Sequence, residues 1–267
     1  MRQRQQKIVE YVNKVGIASY ADLGAMFSVS PFTIRRDADY LANSHLVLRV
    51  KGGVQKIESP TQFREAQIVN RQQINPREKE LIADCAMQFI QPGDSIFLDG
   101  STTVSCLARN LAKTDPEVTI VTNSLLISLE LAKAQNIRLI GLGGVFDSET
   151  YSFVGFEPDS HADSFHINKS FFSCTCLIPE EGTYENAAFN GYTKRFAAQR
   201  SDKVYLLADA NKIGKKALTR VLKTSQIDVL VTDKELSDKD AAAFERNDVQ
   251  VVVAGNNKNN TQKKPIA

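Results

Sequence analysis

The sequence of 267 residues has no long apolar run, and this absence excludes a helix that crosses a membrane. A spanning helix needs roughly 18 consecutive apolar residues, and no segment approaches that length. The first seven residues, MRQRQQK, also lack the apolar stretch of a secretory signal peptide. We therefore expect a protein that is not exported and has no membrane partner.

Cysteine is scarce, with four residues in the whole chain and no C-x-x-C pair. Such a composition excludes a disulfide scaffold and indicates a reducing, cytoplasmic environment. A metal site at His161, His166, Cys174 and Cys176 is the alternative use of these residues. Their spacing fits no zinc pattern, so buried structural cysteines are favoured and no metal is predicted.

Two further motifs are missing. The glycine-rich segment 141–144 would need another glycine in place of Phe146 to form a dinucleotide fingerprint. No Ser-His-Asp ordering stands out along the chain either. No cofactor and no catalytic residue is therefore predicted from these motifs.

The charge is distributed unevenly. Residues 1–57 carry a net charge of +5 and the remaining residues −3, within the total of +2. We predict a basic N-terminal domain at 1–57, a polar linker at 58–74 and a mildly acidic domain at 75–254. The Asn- and Lys-rich tail at 255–267 is predicted to be disordered.

Residues 1–57 have the pattern of three short helices followed by a hairpin. Apolar residues recur at helical spacing over 3–14, and Ser19 with Asp22 is typical of a helix N-terminus. Ser30-Pro31 starts a third helix, because proline is favoured at the first helical position. Residues 46–54 predict two strands turned at the glycine pair. This order predicts a winged helix-turn-helix.

The third helix and the hairpin carry the residues predicted to contact DNA. A recognition helix enters the major groove with its N-terminal end, where short hydroxyl side chains reach backbone or base edges. Its two adjacent arginines reach phosphates or guanine, and basic residues of the hairpin hold the flanking backbone. The predicted DNA-binding residues are Ser30, Phe32, Thr33, Arg35, Arg36, Arg49 and Lys51.

Beyond residue 75, short apolar strands alternate with helical segments. Strands are predicted at 95–99, 118–122, 137–142, 203–209, 227–231 and 249–253. Helices are predicted at 76–90 (with Asn75 as the cap), 102–111, 124–134, 187–199 and 237–246. This alternation predicts a parallel α/β sheet with helices on both faces. In such sheets, ligands bind beyond the carboxyl ends of the strands.

The predicted strand ends hold polar, glycine-rich turns that suit an anion. Residues 99–103 (DGSTT) join a strand to a helix, where free amides and hydroxyls cradle a phosphate. Asn123 follows the next strand, the glycines at 143–144 follow the third, and Lys212 brings an ammonium after a later strand. The predicted effector-binding residues are Asp99, Gly100, Ser101, Thr102, Thr103, Asn123, Gly143, Gly144 and Lys212.

Residues 29–37 (VSPFTIRRD) and 48–54 (LRVKGGV) resemble the head of the DeoR family of bacterial transcriptional regulators. The predicted domain at 75–254 is also similar to that family, at 99–103, 121–124 (VTNS) and 209–214 (DANKIG). The resemblance implies a sensor domain similar in fold to ribose-5-phosphate isomerase. It implies effector contacts at Asp99, Ser101 to Thr103, Asn123 and Lys212, with Gly143 and Gly144 lining the site.

We therefore expect a bacterial, cytoplasmic repressor of a carbohydrate-catabolism operon. Its expected partners are an operator in double-stranded DNA, a phosphorylated sugar and further copies of itself in a dimer or tetramer. An isomerase-like enzyme with an appended DNA-binding head is the alternative, with Asp99 as base and Lys212 as phosphate clamp. A non-specific DNA-binding protein is a third hypothesis.

Overall fold

The computed structural model describes residues 3–43, 46–56, 71–155, 165–186 and 190–255. The chain divides into two compact units, 1–74 and 75–267, which we call the head and the body. Residues 58–70 of the linker predicted at 58–74, residues 187–189 of the helix predicted at 187–199, His161 and the tail after 255 lie outside the described residues. Within the described ranges, no helix is long and apolar enough to cross a membrane.

Over residues 3–43 and 46–56, the head folds as three helices and a small antiparallel sheet. The elements in chain order are α1 (Gln3–Val15), β1 (Ile17–Ser19), α2 (Tyr20–Met26), α3 (Pro31–Asn43), β2 (Leu48–Val50) and β3 (Gly53–Gln55). The sheet order β1-β3-β2 confirms the winged helix-turn-helix but adds a strand, because only two were predicted. Gly16, at φ +87°, ends α1 and lets the next three residues pair with β3.

Local sequence signals account for the helix starts in the head. The Ser19 hydroxyl accepts from the Asp22 amide at 3.0 Å and donates to the Asp22 carboxylate at 2.7 Å, as predicted. The three helices bury a common apolar core, which includes Ile8, Val12, Leu23, Ile34, Leu41 and Val54. Gly53 allows β3 to approach β1, because a Cβ there would lie 2.2 Å from the Ala18 carbonyl oxygen.

The first half of the body alternates strands and helices. It contains α4 (Pro76–Ala86), β4 (Ser95–Leu98), α5 (Thr102–Thr114), β5 (Val118–Thr122), α6 (Leu125–Leu131), β6 (Ile137–Gly141), β7 (Val145–Asp147) and β8 (Ser152–Val154). The predicted helix at 76–90 ends early, because a short 3₁₀ turn (Met87–Phe89) follows α4. The helix predicted at 102–111 is longer by three residues, and Asp115, with a left-handed backbone, is its C-cap.

The second half of the body completes the main sheet. Its elements are β9 (Ile167–Phe172), β10 (Cys176–Ile178), β11 (Gly182–Glu185), α7 (Asn190–Gln199), β12 (Ser201–Leu207), β13 (Thr219–Arg220), β14 (Val229–Thr232), α8 (Asp238–Glu245) and β15 (Gln250–Val253). A 3₁₀ turn (Ala210–Lys212) follows β12. Strands β10, β11 and β13 form a separate antiparallel sheet, and β7 pairs with β8.

Within the described part of the body, the main sheet has seven strands in the order β6-β5-β4-β9-β12-β14-β15, and every neighbouring pair is parallel. The predicted parallel α/β architecture is confirmed, but its middle strand, β9, was not predicted. The chain order reverses between β4 and β9. Such a topological switch point opens a crevice at the carboxyl ends of the strands.

Apolar side chains alternate between the two faces of this sheet. Ile96 and Leu98 join one core with α4, α5 and α6, whereas Phe97 joins another with α7 and α8. This alternation follows the two-residue period of a strand. Because both faces are covered, the open edge at the carboxyl ends is where polar side chains of the turns collect.

Candidate DNA interface and effector site

Helix α3 has a buried face and an outward face. Ile34, Ala38 and Leu41 are buried at helical spacing, so this face anchors the helix in the head. Phe32 and Arg36 lie on the opposite side and are exposed, with 76% of the phenylalanine accessible. The outward face is therefore free to enter a groove of DNA.

The N-terminus of α3 is capped by its own hydroxyl side chains. The Ser30 hydroxyl accepts from the Thr33 amide at 3.2 Å, and the two side-chain oxygens are hydrogen-bonded at 3.0 Å. This pairing satisfies one of the free amides at the start of the helix. It also occupies part of the hydrogen-bonding capacity of the two hydroxyls that were predicted to contact DNA.

The basic residues of the predicted interface differ in how tightly the protein holds them. The Arg35 guanidinium lies over the Tyr20 ring, 5.6 Å from its centroid. Arg49 on β2 forms an ion pair with Asp39 and donates to the Tyr20 hydroxyl at 3.2 Å, so it links the wing to α2 and α3. Lys51 is exposed in the turn between β2 and β3. Arg49 is therefore held by an ion pair and a hydrogen bond, whereas the contact of Arg35 is with an aromatic ring.

Asp37 performs a role that sequence reasoning did not identify. Its buried carboxylate accepts from Arg4 at 2.5 Å and from Gln5 at 3.0 Å, both on α1. The bonds fix the rotation of α3 against α1, since they join the two helices at one point. The adjacent Arg-Arg-Asp triplet was a visible signal, because an acidic residue in a DNA-contacting helix needs a structural partner.

In the body, Asp99 lies at the switch point immediately after β4. Its two carboxylate oxygens accept from the Ser101 amide at 3.0 Å and from the Ser173 amide at 3.1 Å. Ser173 follows β9, so the second bond joins the ends of the two strands that flank the switch point. Asp99 is 2% exposed, and its charge must therefore be balanced within the fold.

Lys194 on α7 supplies that balance and was not among the predicted site residues. Its ammonium lies 3.0 Å from Asp99, forms a second ion pair with Glu185 and donates to the Ser173 carbonyl at 2.7 Å. Burial alone lowers the pKa of Lys194, but the two carboxylates more than offset this effect and raise it above its usual value. Lys194 is thus a charged, buried residue whose donors are committed to the protein.

The predicted phosphate cradle begins helix α5. The Ser101 hydroxyl accepts from the Val104 amide at 3.3 Å and caps this helix. The amides of Thr102 and Thr103 belong to the first turn, which has no intrahelical acceptors. Thr103 is fully buried, and its hydroxyl has no partner among the described residues. The amides carry the partial positive charge that suits an anion.

The hairpin β7–β8 packs against the turns that follow β4 and β5. Asn123 donates its side-chain amide to the Phe153 carbonyl at 2.8 Å, and its own carbonyl accepts from the Phe153 amide at the same distance. A Cβ at Gly100 would lie 2.2 Å from the Ser152 hydroxyl oxygen. Gly100 and Asn123 therefore fit the hairpin closely, in addition to their predicted place in the effector site.

Lys212 ends the 3₁₀ turn after β12. Its ammonium donates to the Ser173 hydroxyl at 2.8 Å and lies 3.8 Å from the buried carboxylate of Asp209. Asp209 in turn accepts from the Asn75 side-chain amide at 3.0 Å. Ser173 therefore receives contacts from both Asp99 and Lys212, so the structure brings these two predicted residues to one place.

Asn75 corrects one detail of the sequence prediction. It stands at the N-cap position of α4, but its backbone is left-handed (φ +51°) and its side chain makes no capping bond. The side chain is used instead for Asp209, because that buried carboxylate requires a donor. Helix α4 starts with Pro76, as predicted.

The remaining predicted residues lie further out. Gly143 and Gly144 are exposed between β6 and β7, and nothing lies within 4 Å of a Cβ built on Gly143. Cys174 is buried beside Ser173, and burial raises the pKa of its thiol to about 12. A thiol with such a pKa is protonated at neutral pH. No group of three or more metal-binding side chains occurs within the described part of the chain.

A basic winged helix-turn-helix joined to an α/β body with a polar switch point is the architecture of a ligand-sensing transcriptional regulator. The DeoR-like helix-turn-helix domain matches residues 4–60, and the DeoR C terminal sensor domain matches residues 74–234. The chain belongs to the DeoR family of transcriptional regulators, which confirms the resemblance noted in its sequence.

Individual relatives align over most of the chain. The uncharacterized HTH-type transcriptional regulator YulB of Bacillus subtilis (strain 168) is 34% identical over 252 residues, 93% of this chain and 95% of that protein. The lactose phosphotransferase system repressor of Streptococcus mutans is 31% identical over 239 residues, 89% and 94% of the two chains. These relatives are named as regulators, which agrees with the expectation of a regulator rather than an enzyme.

A solved structure is similar to part of the chain at a lower level. Ribose 5 phosphate isomerase A from Neisseria gonorrhoeae covers 51% of this chain and 52% of its own, with a TM-score of 0.39. The sequence identity is 15%.

Proposed function

We propose that this regulator represses a carbohydrate-catabolism operon and that a phosphorylated sugar controls its affinity for the operator. Helix α3 enters the major groove, with Arg35, Arg36 and Lys51 contacting bases or phosphates. Relatives that regulate sugar metabolism, such as the lactose phosphotransferase system repressor, support a sugar-derived effector.

The observation that carries the effector proposal is the convergence on Ser173. Its amide donates to Asp99 at the switch point, and its hydroxyl accepts from the Lys212 ammonium. The first-turn amides of α5 begin three residues after Asp99. Amides and one ammonium together suit a phosphate, whereas the side-chain carbonyl oxygen of Asn123 is an acceptor for sugar hydroxyls and Asp99 orders the turn beside them.

Control of DNA binding requires two arrangements with different effector affinities. Two recognition helices must match two half-sites, so we propose that the DNA-bound form is a dimer or a dimer of dimers. Effector binding in the body changes the spacing of the paired heads. The effect on operator affinity equals the ratio of effector affinities for the two arrangements.

The proposal is tested by selecting preferred duplexes from a randomised pool and measuring operator binding during titration with sugar phosphates. Unphosphorylated sugars and inorganic phosphate are the ligand controls. We expect Lys212→Gln to weaken effector binding by roughly 10- to 100-fold, because a charge-assisted hydrogen bond contributes about 1.5–3 kcal/mol. Lys215→Gln is the matched control, since that exposed ammonium contacts only the Asn211 carbonyl among the described residues. The proposal fails if no sugar phosphate binds the chain or alters operator affinity.

The same samples test the two alternatives. We propose that the body does not turn over its ligand, since both oxygens of Asp99 already accept hydrogen bonds and one faces Lys194. Isomerisation of a pentose or hexose phosphate that is abolished by Asp99→Asn would establish the enzyme instead. A non-specific DNA-binding protein would bind all duplexes equally at fixed salt.

A further inference from the structure

Phe32 is the most exposed large apolar side chain among the described residues of the head, with 76% of its surface accessible. It is the second residue of α3, directly after the proline that starts the helix. The exposure is fixed by the fold. Phe32 precedes the fully buried Ile34 by two residues, which places it about 200° away around the helix. A rotation that buried Phe32 would expose the core face.

The surroundings of Phe32 suit DNA. Arg36 lies one turn further along the same outward face and is exposed. The flanking hydroxyls of Ser30 and Thr33 are bonded to each other and to the helix amide. The ring is therefore the leading group at the end of α3 that enters the groove, and a cation follows it.

We infer that Phe32 reads thymine, by contact of its ring with the 5-methyl group in the major groove. That methyl group is the apolar feature among the base edges of the major groove, and phenylalanine is one of the side chains that contact it. Arg36 is four residues further on, a rise of about 6 Å or roughly two base-pair steps. The thymine is therefore placed within about two steps of the base or phosphate that Arg36 contacts. The inference rests on the proposed entry of α3 into the groove.

The experiment replaces each thymine of the selected half-site by deoxyuridine, which removes only the methyl group. For the full-length protein, one position per half-site should weaken binding by roughly fourfold, the effect of one buried methyl-sized group. Cytosine at that position should bind weakly, and 5-methylcytosine should recover part of the loss by restoring the methyl group.

The variant Phe32→Ala should bind the thymine duplex less tightly and should no longer distinguish thymine from deoxyuridine. Val15→Ala is the matched control, because it shortens another exposed apolar residue (44% accessible) at the end of α1. Equal melting temperatures of both variants will show that the head remains folded, as expected for an exposed side chain.

The outcomes distinguish a failure of the Phe32 inference from a failure of the proposed operator binding. The inference is overturned if Phe32→Ala keeps the full deoxyuridine effect, if no thymine in the half-site shows one, or if the variant selects the same sequence as the parent. If the parent selects no sequence, the proposed operator binding fails as well. If it selects a sequence in which methyl removal has no effect, operator binding stands and only the role of Phe32 is rejected.

Discussion

Replacing Lys194 by methionine tests the buried charge cluster at the switch point. The substitution keeps an unbranched apolar chain but removes the ammonium that faces Asp99 at 3.0 Å and pairs with Glu185. Two buried carboxylates are then left without their cation, and the Ser173 carbonyl loses its 2.7 Å donor. Removal of one partner from a buried ion pair costs about 3–5 kcal/mol, so we expect a loss of that size.

This loss is large enough to measure by calorimetry. For a unit of this length, 1 kcal/mol shifts the melting temperature by about 2–4 °C, so the body of Lys194→Met should melt roughly 6–20 °C lower. The chain contains no tryptophan, and circular dichroism is the suitable second probe. Lys203→Met removes an exposed lysine from β12 and should change stability by less than about 0.5 kcal/mol.

The pH dependence of the free energy of unfolding distinguishes an electrostatic cost from a loss of packing. The raised pKa of Lys194 means that its contribution in the parent is fully present below its ordinary pKa of about 10.4 and is lost only at higher pH. The parent should thus show no change from this group between pH 6 and 9. In Lys194→Met, protonation of a stranded carboxylate relieves the cost, so the deficit should shrink as pH is lowered from 7 to 5.

A second substitution identifies the source of the deficit. Adding Glu185→Gln to Lys194→Met removes one stranded charge and should restore part of the stability. The electrostatic argument is refuted if the loss of stability in Lys194→Met does not change with pH. It is also refuted if Glu185→Gln destabilises Lys194→Met by as much as it destabilises the parent. The lost stability would then come from packing of the lysine stem.

Two further predictions concern the head. Asp37→Asn should lower the stability of the head by about 1.5–3 kcal/mol, because it weakens the charge-assisted bond to Arg4; an unchanged melting transition would contradict this. Gly53→Ala should abolish sequence-specific DNA binding, since its Cβ would lie 2.2 Å from the Ala18 carbonyl oxygen. Gly52→Ala is the comparison: it is strained at φ +83° by about 1 kcal/mol but meets no atom within 4 Å, so equal effects of the two would reject the steric account.

Local signals predicted much of this molecule. The helix starts at Ser19, Ser30, Ser101 and Ser124 follow from hydroxyl residues placed before apolar-periodic segments, and each side chain accepts an amide in the structure. The outward and buried faces of α3 follow from helical period alone. Such features depend on residues within one or two turns of each other.

The parts that were not predicted depend on distant residues. Strand β9 has no alternating pattern, because the buried Ile167 is followed by polar residues at 168–169 and then by a continuous buried run at 170–172. Its place in the sheet is set by pairing with β4 and β12, which are distant from it in the sequence. Lys194 and Glu185 approach Asp99 only because β9, β11 and α7 meet at the switch point. The pair Phe171-Phe172 after Ile167 was a signal for this strand.

The two faces of α3 have a consequence for how such regulators diversify. Asp37 is buried and holds the helix against α1, whereas Phe32 is exposed on the outward face and has no part in the core. Under the proposed entry of α3 into the groove, substitutions on the outward face should change which operator is recognised without a cost in folding. Under that proposal, one or two such replacements would be enough to give a duplicated copy a new target while the residues of its body stay the same.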